Sequence, residues 1–526
     1  MFEKNQNIKV IKTALKIILF ISCIAEIIFF LELSNIVGCV VSIVSLYLYD
    51  KFVLNIEIIK QRPLSFVAIT YLFLFMYLPL PVTLLDGNSM SHDMHNPILT
   101  YILQFCYFGL TVFSFEWAKH IRGNKNSRLS RIFRNIGYFN PPSVLQLWIL
   151  ALIGWIPEIH LLLNQYTEEG SIMAQGTLSM LAILIYAPIC ILFPSLLGSR
   201  VHSKLSKLMV LFYIVLLIII GIATNHRGSM LSPLIVAGWG YFFTLLYRKK
   251  PIHIFSVKKI LLVIIAFLLI SGPASDMAFA MLITRNERNN LSFTELLKET
   301  VDLYLNKNEL DQYRKIMDLT QNNNADYSEL SDDWDETYVS NIFLQRVCNY
   351  RVVDASIYHA GRVGLGNKKM LEDFFSHIVC MLPQPILDIL GLNLNKKDFE
   401  YSPMDYLYYL STKAHSINSS YIVGGDVGLG LATFGILYFF ILVIIYRCEF
   451  YVLDSQTFNI NNGKIIPFFV IISVPMLRFA VASGIQGHIT YLFYSFPLSL
   501  TILLLVYNIV RFITPHTKVS IISTTK

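Results

Sequence analysis

Apolar runs of about 18 to 22 residues recur along almost the whole of this chain, and as helix that length crosses a hydrocarbon layer about 30 Å thick. Twelve such runs are read, at 14–33, 36–50, 64–85, 98–118, 143–163, 178–198, 208–224, 230–247, 260–280, 426–446, 465–483 and 490–510. Lipid offers backbone N–H and C=O groups no partner, so a spanning segment must satisfy them within its own helix. Composition agrees: 55% of the 526 residues are hydrophobic and 15% charged, where a soluble globular chain carries roughly 25% charge. The expectation is an all-α polytopic membrane protein with about 12 transmembrane helices. The first run follows Lys4, Lys9 and Lys12, as a signal peptide would, but no small-x-small cleavage site comes after it. It is read as an uncleaved first span.

The connections sort by charge. One set is basic: the N-terminus, 51–62, "KHIRGNKNSRLSRIFRNIGYF", "SRVHSKLSK", "RKKPIHIFSVKK", 447–464 and the C-terminal tail. The other set is "DGNSMSHDMHNP", "NQYTEEGSIMAQG", "NHRGS" and "GIQGHI", in which Arg227 is the only Lys or Arg. Basic loops stay in the cytoplasm, so both termini are expected there, and the net charge of +7 reports topology and not a nucleic-acid partner. Cys23, Cys39, Cys106 and Cys190 fall inside apolar runs as buried thiols. Cys348 and Cys380 share one loop and could pair if it lies outside, although their spacing does not demand it.

One connection differs from the rest. Residues 281–425 lie outside by parity, which divides the chain into a first bundle at 1–280, a large extracytoplasmic loop at 281–425 and the last spans with a cytoplasmic tail at 426–526. The loop opens with a helical pattern, "NNLSFTELLKETVDLYLNKNELDQYRKIMDL", continues through an acidic stretch, and reaches a helix-like "SNIFLQRVCNYRVVDASIYHAG". "FFSHIVCMLPQPILDILGL" is apolar, broken by Pro383 and Pro385 and too short to span, so it is read as interfacial or re-entrant.

Several polar residues stand out against this background. His226 and Arg227 occupy a tight outward turn, where an arginine either snorkels as an anchor or grips an anion, guanidinium matching phosphate oxygens bidentately. "QRVCNYRVVDASIYHAGR" carries Arg346, Arg351, Asp354, His359 and Arg362 among apolar neighbours; as helix, Arg351 and Asp354 are i, i+3 neighbours and could form a plain surface pair. His415 precedes polar residues, and Asp426 is placed to cap the helix entering the tenth span. Arg478 lies inside the eleventh span, where a charge is costly and faces a partner or an aqueous cavity; His488 follows in the next outer turn. "SDDWDE" reads as a solvated acidic loop before a metal site, and no metal or other cofactor is expected. HExxH, Walker, paired CxxC and GxSxG patterns are absent from the sequence.

Taken together, "TNHRGSML" between two spans, the single long late outer loop, "RVCNYRVVDASIYHAGRVG", the "H…GG(D)xGLG…FG" entry to the next span and a further arginine in a late span resemble the O-antigen polymerase (Wzy-type) and O-antigen ligase superfamily. The chain departs from it in two places. No Arg-x10-Gly spacing occurs at Arg346 or Arg351, and Asp426 stands where Glu is the more familiar residue.

The resemblance implies a GT-C-like glycosyltransferase of the bacterial cytoplasmic membrane, with its large loop periplasmic or extracellular. It implies polymerisation of undecaprenyl-pyrophosphate-linked oligosaccharide repeat units into O-antigen or capsular polysaccharide, with lipid-linked glycans as donor and acceptor and a chain-length regulator as a further partner. Arg227, Arg346, Arg351 and Arg478 would bind pyrophosphate, and His415 or Asp354 would serve as general base, with His226, Asp426 and His488 as further candidates. An O-antigen-type ligase shares the carrier and the loop, and a flippase or secondary transporter shares the span count but would be expected to show repeat halves.

Overall fold

The computed structural model describes residues 2–119, 126–163, 180–198, 203–223, 227–247, 270–284, 291, 293–324, 338–339, 341, 344–382, 384–392, 394, 396–413, 416–417, 422–460, 463–473 and 484–514. The chain is mostly helical. Six described helices are long and apolar enough to cross a membrane: Leu33–Phe52, Pro97–Ala118, Lys204–Ile222, Ser229–Tyr247, Asp426–Ser455 and Gly484–Ile513. A seventh span forms if Pro63–Tyr77 and Pro79–Leu85 are taken together across their 47° bend. Pro79 lacks the N–H that would continue the helix, so the bend falls where the sequence puts a proline. Val144–Ile159 and Met180–Leu192 are apolar but shorter. The described helices account for six or seven of the twelve runs: 260–280 and 465–483 lie partly outside the described residues, 143–163 and 178–198 correspond to the two shorter helices, and 14–33 falls in Phe2–Phe29, which is not among the six.

Contacts divide the chain into two units. The first comprises Met1–Gly123, Ser328–Asp454 and Arg478–Pro497; the second comprises Asn124–Tyr327, Ser455–Leu477 and Leu498–Lys526. Each draws on more than one of the three stretches 1–280, 281–425 and 426–526, which describe order along the chain rather than compactness.

In the first unit, ion pairs tie helices together. Lys12 and Lys16 reach Asp50, the latter at 2.7 Å, joining Phe2–Phe29 to Leu33–Phe52. Buried Arg62 bonds Asp454 at 2.5 Å and the Phe115 carbonyl at 2.6 Å, and its guanidinium lies 4.0 Å over the Phe115 ring. Removing either partner would strand a desolvated charge.

The tenth predicted span is two helices, Asp426–Phe434 and Tyr438–Ser455, with a break at Gly435. Gly435 has φ +56°, a left-handed conformation that glycine adopts without a Cβ clash. The break is where the long connection docks: Gly366 N–H donates to Leu431 O at 3.0 Å and Asn367 N–H to Ala432 O at 2.7 Å. These bonds pin the turn of the long connection to the last carbonyls of the helix, the Leu431 oxygen being shared with Gly435 N–H. Tyr350–Val363 then lies along Asp426–Phe434 so closely that a Cβ on Gly428 would stand 2.3 Å from the Ser356 carbonyl carbon. Residues 350–367 of the long connection are thus sewn onto an apolar helix.

The second unit holds Val144–Leu163, Ile183–Leu192, Lys204–Ala223 and Arg227–Tyr247. Trp155 donates to the Tyr213 hydroxyl at 3.1 Å, which donates to Ile185 O at 2.8 Å. The helical pattern after 281 is realised as Phe293–Leu305 and Lys307–Asn324, tied to Asp276 by Lys307 at 2.7 Å and Arg314 at 2.5 Å. The expected loop 447–464 instead contains the last turns of Tyr438–Ser455 and a short antiparallel hairpin, Phe458–Ile460 with Gly463–Ile465. Back in the first unit, Cys348 and Cys380 are free thiols, Cys348 buried with its Sγ 2.9 Å from Leu344 O.

Candidate functional site

All of the site described here lies in the first unit. Of the residues singled out by the sequence, His226, His415 and Arg478 lie outside the described residues, as does the acidic stretch 331–336. Arg227 opens the Arg227–Tyr247 helix, and Arg346 sits in Gln345–Cys348; the side chains of both are likewise outside the described part. Arg351, Asp354, Asp426 and His488 are described in full.

Asp354 is fully buried. One carboxylate oxygen accepts from His95 N–H at 2.5 Å; the other accepts from Asn96 N–H at 2.9 Å and the Thr100 hydroxyl at 2.8 Å. It therefore caps Pro97–Lys119 from another helix, holding donors that the helix start leaves unpaired. Arg351 does not form the i, i+3 pair with Asp354. Its guanidinium lies 3.6 Å from Asp93, in the turn just before Pro97, and is partly buried. The His95 ring stacks on Tyr358 at 4.1 Å between centroids. The 86–96 turn and the Tyr350–Val363 helix, read from charge as lying on one side of the membrane, are therefore in direct contact.

Asp426 is not the N-cap its position suggests. Gly425 takes that place, without a side-chain bond. The Asp426 carboxylate points across the unit instead, accepting Gly484 N–H at 2.8 Å and the Tyr107 hydroxyl at 3.0 Å. His488 Nε2 lies 3.4 Å from the same carboxylate, and His488 Nδ1 lies 2.9 Å from Glu449. Tyr107 also bonds the Tyr446 hydroxyl. All five side chains are buried, on helices long and apolar enough to cross a membrane. Ionisable groups at such positions are expensive and are held only by one another.

Sequence reading found Asp426 and His488 here but not their partners. Glu449 was assigned to a connection because the span was ended at 446. Tyr107 and Tyr446 looked like ordinary apolar-run residues.

Against this network lies a small recess, partly open to solvent and lined by Met370, Asp373, Phe374, Pro403, Leu429, Gly430, Thr433, Phe434, Gly484, Ile485 and Gln486. Gly484 belongs to both, lining the recess while its N–H reaches Asp426. Two walls are helices of the long connection, Lys368–Cys380 and the start of Pro403–Thr412. The other two are Asp426–Phe434 and Gly484–Thr490.

No protein-family model, no curated protein and no solved structure matches the chain. The site must be read from its own chemistry.

Asp373 is, among the described residues, the one ionisable side chain lining the recess. Its carboxylate accepts the Tyr401 hydroxyl at 2.7 Å and lies 3.3 Å from Nδ1 of His377, one turn along the same helix. Burial disfavours a charged His377 ring, but the Asp373 hydrogen bond and charge outweigh it, so its pKa is raised above the usual 6.5. The signal for this pair was present in the sequence as Asp and His four apart in "EDFFSH". In the sequence the apolar residues and prolines of the segment mask it. Among the described residues, no group of three or more His, Cys, Asp and Glu is arranged to hold a metal ion.

Proposed function

We propose that the protein is a lipid-linked-sugar-dependent glycosyltransferase that polymerises undecaprenyl-pyrophosphate-linked oligosaccharide repeat units into O-antigen or capsular polysaccharide. In this reading the chain has about 12 spans in a GT-C-like arrangement, in the bacterial cytoplasmic membrane. Both termini are cytoplasmic and the 281–425 connection faces outward. The observation that supports it best is the recess, walled on two sides by helices of the long connection and on two by helices of membrane-crossing character. A substrate whose sugars are polar and whose anchor is a polyprenyl tail needs such a junction between an outer cover and an apolar bundle.

The chemistry follows from the substrate. The growing glycan leaves its pyrophosphate carrier as the acceptor hydroxyl attacks, and the departing pyrophosphate gains negative charge at the headgroup level. Arginines preorganised there stabilise that charge without being reorganised during reaction. Arg351 is held, partly buried, beside Asp93 at the start of the Pro97–Lys119 helix; Arg346 and Arg478 are its proposed companions from the sequence, and Arg227 is a separate proposal from the sequence for binding pyrophosphate. Asp354, with three donors on its carboxylate, acts as a brace in this scheme, and the proton acceptor is sought elsewhere.

Deleting the protein in its host is expected to leave single repeat units and abolish long chains. Full-length chains that remain unattached to their final anchor would point to a ligase instead. Arg227→Ala, Arg351→Ala and Arg478→Ala, expressed at normal levels, are each expected to shorten the polymer. Undiminished long chains in all three would sink the pyrophosphate clamp.

A further inference from the structure

The walls of the recess say which part of such a substrate can enter it. Among the described residues its one ionisable lining group is an acid, so an anionic pyrophosphate is disfavoured there. Gln486 adds a neutral hydrogen-bonding group, as does Thr433, whose hydroxyl donates to Leu429 O at 2.8 Å and keeps acceptor capacity, and the Phe374 and Phe434 rings meet edge to face at 4.9 Å. A carboxylate, a hydroxyl and an amide beside aromatic carbon suit a sugar ring, which offers hydroxyls at its edge and C–H groups on its faces.

Asp373 is also held in a definite orientation. Tyr401 donates to one carboxylate oxygen at 2.7 Å, and Nδ1 of His377 lies 3.3 Å from the other. The His377 ring is itself fixed, with Nδ1 3.1 Å from the Asp373 carbonyl and the Phe399 and Tyr401 rings edge-on at 5.4 and 5.2 Å. A carboxylate has about four acceptor positions, so these two partners leave capacity for a donor entering from the recess.

We infer that the recess is the acceptor-sugar subsite and that Asp373 accepts the proton of the attacking hydroxyl, with Tyr401 and His377 as positioning residues. This rests on the transferase reading above. In the step, the acceptor oxygen bonds to the anomeric carbon of the donor's first sugar as its proton passes to Asp373. The bond from that carbon to the pyrophosphate oxygen breaks, and its electron pair leaves with the lipid pyrophosphate. No oxidant, reductant or further reactant is required.

The test uses the full chain, purified and reconstituted in liposomes, with lipid-linked repeat units extracted from a strain lacking the protein. Wild type should build a ladder of chain lengths. Asp373→Asn, checked for an unchanged size-exclusion profile, should slow elongation by about 100-fold or more, the usual contribution of a positioned base, and Asp373→Glu should recover part of that loss. Should D373N fail to fold, Tyr401→Phe carries the test, since it removes one hydroxyl from the carboxylate. A fall of about tenfold in kcat per folded molecule is expected, with the acid limb of the kcat–pH profile displaced, a displacement that loss of folded enzyme alone would not give.

If wild type elongates and folded D373N elongates equally well, or Y401F stands in and is indistinguishable from wild type, the assignment of Asp373 is overturned while the transferase reading stands. If wild type itself builds no ladder, the transferase reading fails and takes this inference with it.

Discussion

Glu449 and His488 meet at 2.9 Å inside two helices of membrane-crossing character, and the opposite ring nitrogen of His488 faces Asp426 at 3.4 Å. An imidazole between two carboxylates in an apolar bundle has no solvent to replace a lost partner. Breaking a buried pair from one side costs about 3–5 kcal/mol, because the remaining group stays desolvated and unpaired. Glu449→Gln and His488→Gln should each lower the melting midpoint of the detergent-solubilised protein markedly. The double variant should lose clearly less than the two single losses added together, and strict additivity would show that the two side chains are not coupled.

The pair formed by Asp373 and His377 gives a pH-dependent term of definite sign. The His377 pKa is raised in the folded chain above its ordinary 6.5. Its contribution to stability is therefore complete below about pH 6.5, the ordinary histidine value, and is lost as pH rises through the folded-state pKa. The gap in melting midpoint between wild type and His377→Gln should be widest at or below that pH and narrow on going alkaline. A gap that stays flat, or widens upward, would mean that the ring is neutral when folded.

How far the sequence carried the structure depended on the kind of signal. Long apolar runs such as 98–118 and 230–247 reappear as helices with nearly the same ends, because twenty apolar residues in succession leave few alternatives. Breaks were harder to see. Nothing in the hydropathy of "LATFGILYFF" says that its glycine will take a left-handed conformation beside Gly366, since that break depends on a turn some seventy residues earlier in the chain. The site was half legible for the same reason. Asp426 and His488 were conspicuous as polar residues in or beside apolar runs. Glu449 was hidden by a span end drawn too early, and Tyr107 by its resemblance to packing residues. Asp354 was visible as an acid among apolar neighbours, but its partners lie more than 250 residues away, so its work as a brace could not be read from its own helix.

Close helix contact at Gly428 should be intolerant of a single methyl group. A Cβ there would stand 2.3 Å from the Ser356 carbonyl carbon and 2.4 Å from its oxygen, both backbone atoms that cannot rotate aside. Gly428→Ala is expected to separate Tyr350–Val363 from Asp426–Phe434 and to destabilise by about 1–3 kcal/mol. Gly109→Ala, within Pro97–Lys119, is the matched control, because a Cβ there meets nothing within 4 Å. Equal melting behaviour of the two variants would refute the close packing.

Asp354 and Asp373 are both buried acids in the 281–425 connection, yet their surroundings assign them opposite tasks. Asp354 spends its carboxylate on His95 N–H, Asn96 N–H and Thr100, and it is absent from the recess lining. Asp354→Asn keeps the shape but turns one acceptor oxygen into an NH₂ facing backbone or hydroxyl donors. Leaving such buried groups unpaired costs about 1–3 kcal/mol, so this variant should melt earlier, with increased hydrogen exchange at the start of Pro97–Lys119. Per folded molecule, its elongation rate should stay close to wild type, in contrast to the loss expected for Asp373→Asn. A normal melting curve with abolished elongation would reverse the two assignments, making Asp354 the group that handles the proton.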